Sequence, residues 1–285
     1  MLMTETERGI LLREAGEDRF DPDLTFFCGQ CFRWREENGA YLGVAGGKVG
    51  RLLKTEDGLL LQEETPGDFQ SFWKSYFDLE EDYSLLRQDL LSRCPALTEA
   101  AGELRGIRIL RQEPWEALCS FIISQNNHIP RIRGIVERLC ETFGEPLLEG
   151  LFSFPSPQAL ANRSVQELSP LRAGFRAEYL LDAARKVSEG KVDLSALPTL
   201  SLEEARARLM TIRGVGPKVA ECTLLYGLHF LQAFPVDVWM KKALAGPFSG
   251  LRPEDLGPYA GLAQQWIFHF TRTAGEKPEK KACIC

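Results

Sequence analysis

The sequence predicts an α+β chain: an N-terminal antiparallel sheet with helices over residues 1–110, then an all-helical domain over 111–274. Three observations carry this. Turn dipeptides recur every 8–11 residues in the first third, at Asn38-Gly39, Gly46-Gly47 and Asp57-Gly58. Apolar spacing then changes from short runs to a helical period near residue 68. From Pro114 onward, amphipathic or apolar segments follow one another, each with helix-start or helix-stop residues.

The sheet region runs from Cys31 to Glu64, with Tyr41-Leu42-Gly43-Val44 and Leu59-Leu60-Leu61 as short strands between the turns. Asp68 to Leu91 reads as helix, with Phe69, Phe72, Trp73, Tyr76 and Phe77 on one face. Trp115 to Gln125 is apolar nearly all round and predicts a buried helix. Arg131 to Phe143 and Arg176 to Glu189 are helices closed by Gly144 and Gly190. Ser201 and Glu204 form a capping box for a helix over Leu202 to Thr211. Further helices are expected over Val219 to Phe230, Val238 to Ala245 and Tyr259 to Phe270, and the charged tail, 275–285, is expected to be disordered.

The composition, 44% hydrophobic and 26% charged, is that of a globular chain. No apolar run reaches the roughly 20 residues that span a bilayer. The acidic, polar start does not resemble a signal peptide, so the expected setting is cytoplasmic, nucleoid-associated and prokaryotic, with no membrane partner. The formal net charge is −6, but it is unevenly spread: residues 1–110 hold 13 Lys/Arg against 21 Asp/Glu, and residues 128–220 hold 13 against 11. Phosphate binding depends on local basic groups, so a nucleic-acid partner stays open. The eight cysteines read as free thiols; Cys28-x-x-Cys31 reads as either buried thiols or a metal or redox pair, whose distant complement would be Cys283 and Cys285.

Met210 to Leu244 is the stretch with most chemistry. A helix ends at Ile212-Arg213, a Gly214-Val215-Gly216 turn follows, and Pro217-Lys218 opens the next helix. Its first-turn N–H groups suit a phosphate oxygen, although a plain helix–turn–helix has the same pattern. Lys218 lies at the positive end of that helix among apolar residues, and both conditions disfavour the ammonium form. An uncharged amine is what a nucleophilic lysine requires; the alternative is a lysine that reaches water or phosphate. Asp237, in Phe234-Pro235-Val236-Asp237-Val238, reads as an N-cap, and a fixed carboxylate there is also suited to stabilising an oxocarbenium-like charge.

Gly214-Val215-Gly216-Pro217-Lys218, a helix, then Pro235-Val236-Asp237-Val238 resembles the helix–hairpin–helix DNA glycosylase superfamily. Within it, the chain resembles the 8-oxoguanine DNA glycosylases from about Cys28 to Phe270. The other blocks that carry the resemblance are Gly29 to Trp34, Ser124 to Arg131, Gly174 to Ala177 and Gly257 to Gln264.

The resemblance implies a bifunctional glycosylase and AP lyase acting on double-stranded DNA that contains 8-oxoguanine opposite cytosine, as a monomer and without a cofactor. Lys218 would attack C1′ and form a Schiff base that permits β-elimination, with Asp237 stabilising the positive charge. The flipped purine would lie between Phe268 and Cys222, with Gln264 on its Watson–Crick edge. The Gly29 carbonyl would accept the N7–H that distinguishes 8-oxoguanine from guanine. Asn126 would fill the vacated space, Phe175 would wedge the stack, and Arg131 and Arg176 would read cytosine. Gly214, Gly216, Val219 and Trp239 would meet phosphate, and carbonyls of Met210, Ile212 and Val215 match positions that hold a structural cation.

Four positions depart from the family pattern. Trp239 stands where relatives often have histidine, Tyr226 where an unbranched apolar residue is common, Phe175 in place of a frequent tyrosine, and Arg213 where many hairpins have proline. The rival readings are a glycosylase for adenine or alkylated bases, a non-catalytic DNA-binding protein, and a helical scaffold. The first is disfavoured by Lys218 and by the absence of a four-cysteine cluster; the others leave Lys218 beside Asp237 unexplained.

Overall fold

Asn38-Gly39 and Gly46-Gly47 have positive φ at both residues, the backbone of a tight hairpin turn. They join β3 (Trp34–Glu37), β4 (Ala40–Ala45) and β5 (Lys48–Thr55). With β1 (Leu2–Thr6), β2 (Gly9–Arg13) and β6 (Gly58–Gln62), these make a six-stranded antiparallel sheet in the order β1-β2-β6-β5-β4-β3. The computed structural model describes residues 2–14, 16–148 and 150–274; the tail 275–285, including Cys283 and Cys285, lies outside them.

Two expectations for the sheet change. β1 and β2 lie ahead of the predicted strands. The third turn is at Glu56-Asp57, because Thr55 pairs with Gly58 and Gly58 begins β6. A Cβ on Gly58 would stand 2.2 Å from the Leu12 carbonyl of the neighbouring strand. In mid-sheet, Gly43 and Gly50 make room for indoles: added Cβ atoms would come within 2.3 Å of Trp34 and 2.6 Å of Trp73. Trp34 stacks on Phe26 at 4.1 Å and donates from Nε1 to Tyr76 at 2.8 Å.

The helices, in chain order, are α1 (Pro22–Phe26), α2 (Pro66–Asp68), α3 (Lys74–Tyr76), α4 (Tyr83–Arg93), α5 (Thr98–Glu103), α6 (Pro114–Ser124) and α7 (Ile129–Phe143). They continue as α8 (Pro157–Ala161), α9 (Arg176–Ser188), α10 (Leu202–Leu209), α11 (Pro217–Leu228), α12 (Val238–Ala245) and α13 (Ala260–Ala274). A two-stranded ribbon, β7 (Pro146–Leu148) and β8 (Leu151–Phe152), follows α7. A π-helical stretch, Phe69–Trp73, links α2 to α3.

The single helix expected over Asp68 to Leu91 is broken between Tyr76 and Tyr83. Asp78 turns the chain with φ 53 and is 1% exposed. Its carboxylate accepts from Tyr83 and Arg111 at 2.8 Å and meets His229 at 3.1 Å. Burial works against its charge, but these partners hold Asp78 below the usual carboxylate range. One buried anion thus fastens the end of the sheet lobe to the end of α11.

The apolar core falls into two clusters. One joins the sheet to Phe20, Phe26, Phe69, Trp73, Phe77 and Leu110. The other joins α4 and the segment up to Ile109 to the helices from α6 onward. The clusters therefore divide the chain by packing, with Tyr83 to Ile109 on the helical side, rather than by a cut in sequence at residue 110. Cys28 and Cys31 are buried in different clusters. Among the described residues no helix is long and apolar enough to cross a membrane.

Candidate active site

The α10–α11 turn is shaped by α9 beneath it. Gly214 has φ +78, and a Cβ there would stand 2.2 Å from the Tyr179 ring. Asp182 accepts the Arg213 N–H at 2.7 Å, and Lys186 donates to the Thr211 carbonyl at 2.6 Å. Gly216 is the N-cap of α11 and has no side chain to cap it, so the first-turn N–H groups keep their capacity for an anion. The carbonyls of Met210, Ile212 and Val215 lie in the same turn, where Ile212 accepts from the Val215 N–H at 3.1 Å.

Pro217 and Lys218 begin α11 as expected. Lys218 Nζ donates to Ser124 Oγ at 2.9 Å and lies 5.3 Å from the centre of the Phe121 ring. Ser124 spends its own proton on the Phe121 carbonyl at 2.8 Å, so it faces the amine as a neutral acceptor. No salt bridge joins Lys218 to Asp237 among the described residues. Asp237 caps α12: Oδ1 accepts from Trp239 N at 3.0 Å and Met240 N at 2.8 Å. Both bonds use one oxygen, which fixes the carboxylate and leaves Oδ2 available.

Glu221, one turn after Lys218, fastens this corner together. Its carboxylate accepts from Arg206 on α10 and from the Phe234 N–H, each at 2.7 Å. The loop that leads to Asp237 is thereby tied to the helix that carries Lys218.

Lys218 and Asp237 face the same cleft, of about 840 Å³, whose walls include Gly29, Asn126, Gly216, Val219, Trp239 and Phe268. Among the described residues its charged lining is Lys218, Lys241 and Arg272 against Asp237. A chain with a formal charge of −6 therefore has a net positive cleft, the local arrangement that matters for phosphate.

Gly29 projects from a pinned loop. Gln30, fully buried, donates to the carbonyls of Thr25 and Arg108 at 3.0 and 2.7 Å and accepts from Leu110 N at 2.9 Å. Gly29 has φ +91, and Phe268 and Ile129 stand 3.4 Å from where its Cβ would be. The Phe268 ring thus closes against Gly29. Cys222 and Gln264, each 4% exposed, do not line the cleft. Burial pushes the Cys222 thiol up to about 11, against the pull of Lys218, so it offers an uncharged packing surface.

Of the residues expected on the opposite strand, Asn126 lines the same cleft, whereas Arg131, Phe175 and Arg176 lie outside its lining. Phe175 is 51% exposed at the start of α9. Arg176 is buried, and its guanidinium donates to the carbonyls of Gln125, Asn126 and Ala173. Burial and the neighbouring charge of Arg131 lower its ionisation range. Asn126 has φ 48 at the tip of the loop that Arg176 holds. Ser124, Gln30, Glu221 and Arg272 are not among the site residues expected from the sequence; Ser124 and Gln30 act through partners 94 and 78–80 residues away, and Glu221 through partners 15 and 13 residues away on either side.

Residues 13–118 match the family described as "8-oxoguanine DNA glycosylase, N-terminal domain", and residues 119–248 match "HhH-GPD superfamily base excision DNA repair protein". The chain is 31% identical to "N-glycosylase/DNA lyase OGG1" of Arabidopsis thaliana, over 86% of this chain and 75% of that protein. It is 40% identical to the Saccharomyces cerevisiae "N-glycosylase/DNA lyase", a match that spans 48% of this chain and 41% of the yeast protein. Among solved structures, the Clostridium acetobutylicum 8-oxoguanine glycosylase/lyase bound to DNA with cytosine opposite 8-oxoG superposes with TM-score 0.89 at 34% identity, over 96% of this chain and 99% of that one. MBOgg1 in complex with a low-affinity DNA ligand gives TM-score 0.88 at 40% identity, over 96% and 100%. The chain belongs to the 8-oxoguanine DNA glycosylase/lyase family of the helix–hairpin–helix superfamily of base-excision DNA repair proteins.

Proposed function

We propose that this protein removes 8-oxoguanine opposite cytosine from duplex DNA and then nicks the abasic strand through a Lys218 Schiff base. The observation that carries this reading is the shared cleft of Lys218 and Asp237, placed beside the uncapped start of α11 and opposite Gly29.

The chemistry follows from these positions. Ser124 aims the amine without supplying a counter-charge. In its neutral form Lys218 attacks C1′ as the C1′–N9 bond breaks and the base takes up a proton. Positive charge on the sugar meets Asp237 Oδ2, whose companion oxygen is held by two backbone N–H groups. The attached nitrogen then gives up one proton, and O4′ takes up one as the C1′–O4′ bond opens, which leaves a protonated Schiff base. Removal of a C2′ proton then expels the 3′ phosphate.

The flipped purine reaches Cys222 and Gln264 by moving the Phe268 ring off Gly29, and the Gly29 carbonyl then accepts the N7–H. On the facing strand, Phe175 wedges the stack. Arg176 exchanges its carbonyl partners for the acceptors of cytosine beside Arg131, while Asn126 fills the gap. Gly214, Gly216, Val219 and Trp239 carry the phosphates next to the lesion. A cation on the Met210, Ile212 and Val215 carbonyls would brace the hairpin. One chain contributes every group invoked, so a monomer suffices.

The test is excision from duplexes that carry 8-oxoguanine opposite each of the four bases, with unmodified guanine and an alkylated purine as comparisons. Fastest release of 8-oxoguanine opposite cytosine is expected. Equal release of guanine removes the role of Gly29, and preferred release of the alkylated base overturns the substrate assignment.

A further inference from the structure

Tyr226 departs from the family pattern, and its hydroxyl sits in a hydrogen-bond chain that starts next to Gly29. We propose that Tyr226 fixes the direction of the Gln264 amide, so that the base pocket presents an acceptor to the Watson–Crick edge and accepts guanine-type rather than adenine-type bases. This deepens the reading of the same site and rests on it.

Tyr226 is 4% exposed and its ring stacks on Phe121 at 5.3 Å. Its oxygen reaches between two buried glutamines on α13, 2.7 Å from Gln265 Oε1 and 3.2 Å from the Gln264 amide oxygen. A phenol has one hydrogen, so it cannot donate to both. The direction is settled from the far end. Gln265 Nε2 lies 3.3 Å from the Cys28 carbonyl, which can only accept. Gln265 must therefore direct its NH₂ to Cys28 and its oxygen to Tyr226, which gives up its proton there.

Tyr226 then faces Gln264 with a lone pair. A second carbonyl at that distance would leave two buried acceptors opposed with no hydrogen between them. A half-turn of the Gln264 amide exchanges its oxygen and nitrogen at almost no change in shape. The satisfied arrangement donates Nε2–H to Tyr226 and leaves Oε1 for a ligand. Guanine and 8-oxoguanine offer N1–H and N2–H donors on that edge. Adenine and 8-oxoadenine place a bare N1 there, which a fixed carbonyl oxygen repels. Two successive carbonyls thus serve the two reading groups: Gly29 accepts from the oxidised ring, and Cys28, through Gln265 and Tyr226, orients Gln264 for the guanine edge.

The test compares kcat/KM for 8-oxoguanine and 8-oxoadenine, each opposite cytosine. Both bases carry N7–H and differ on the Watson–Crick edge, so Gly29 does not contribute to the ratio. Tyr226→Phe keeps the stacked ring and removes the hydroxyl. Gln265→Met keeps Tyr226 but frees its proton to hold Gln264 the other way round. Each variant is expected to shrink the 8-oxoguanine preference by roughly fivefold or more. The ratio is independent of the fraction of enzyme that is folded. Ratios within about twofold of wild type in both variants, a shift too small for one hydrogen bond, overturn the role of Tyr226. A wild-type protein that releases another base and leaves 8-oxoguanine in place overturns the functional reading as well.

Discussion

Removing the Glu221 carboxylate should loosen the corner that holds Lys218 and Asp237 together. Glu221 is 7% exposed and accepts two hydrogen bonds of 2.7 Å, from Arg206 and from the Phe234 N–H. Glu221→Ala strands the Phe234 amide, at a cost of about 1–3 kcal/mol for an unmet buried donor. It also removes the charge facing Arg206, whose side chain is 35% exposed and can rehydrate, so that pair adds only about 1 kcal/mol. The expected loss is about 2–4 kcal/mol in urea unfolding. Glu221→Gln keeps one acceptor for Phe234 and should lose about half of that. The Phe234–Asp237 loop would then drift relative to α11, and a shift near 1 Å in a reacting group can cost on the order of a hundredfold in rate. Single-turnover base release should therefore fall more steeply in the alanine variant than in the glutamine variant. An alanine variant as stable as wild type, or one that releases base at the wild-type rate, would refute the strut.

Three further outcomes follow, two from the hairpin and one from α13. Gly214→Ala, with its Cβ 2.2 Å from the Tyr179 ring and φ +78, should lose about 2 kcal/mol in thermal unfolding and bind lesion DNA more weakly. Gly216→Ala, with φ −98 and open space around the added methyl, should keep wild-type stability while DNA affinity drops in an anisotropy titration; a fall in stability instead would show that the glycine is needed for the fold. His269 is pushed down to about 4 by burial and by Arg272. The unfolded chain takes up that proton near pH 6.5, so the contribution of His269 to stability is complete above 6.5 and declines by roughly 3 kcal/mol as pH falls toward 4, which the difference between wild type and His269→Gln isolates. Urea midpoints measured between pH 7.5 and 4.5 check this, and His269→Gln should flatten that slope.

The parts of this molecule visible in the sequence are those fixed by neighbours in the chain. Asn38-Gly39 and Gly46-Gly47 announce hairpins because positive φ at two adjacent positions demands such residues. Ser201 and Glu204 form their capping box as expected, and Asp237 caps α12 as expected. β1 leaves no signal in the sequence because it is a largely exposed edge strand with no apolar alternation, and β2 leaves none because Ile10-Leu11-Leu12 is too short to classify. The break at Asp78 was hidden because its cause, a carboxylate shared with Arg111 and His229, lies 33 and 151 residues away.

The same division holds in the cleft. Lys218 and Asp237 stand out from a local motif of glycines, a proline and a helix start. Ser124 reaches Lys218 across 94 residues, and Gln265 reaches the Cys28 carbonyl across 237. Hydrogen bonds of that kind leave no periodicity or spacing to read. Tyr226 departs from the family pattern in the sequence itself, but its consequence depends on the two glutamines beside it.

The central claim is that the Lys218 amine bonds to the damaged nucleotide, and borohydride trapping on an 8-oxoguanine:cytosine duplex measures it directly. Wild-type protein should form a covalent DNA adduct that maps to the Lys218 peptide, and Lys218→Gln should form none while still binding the duplex. An adduct of undiminished yield in Lys218→Gln, or one that maps to another amine, would contradict the account.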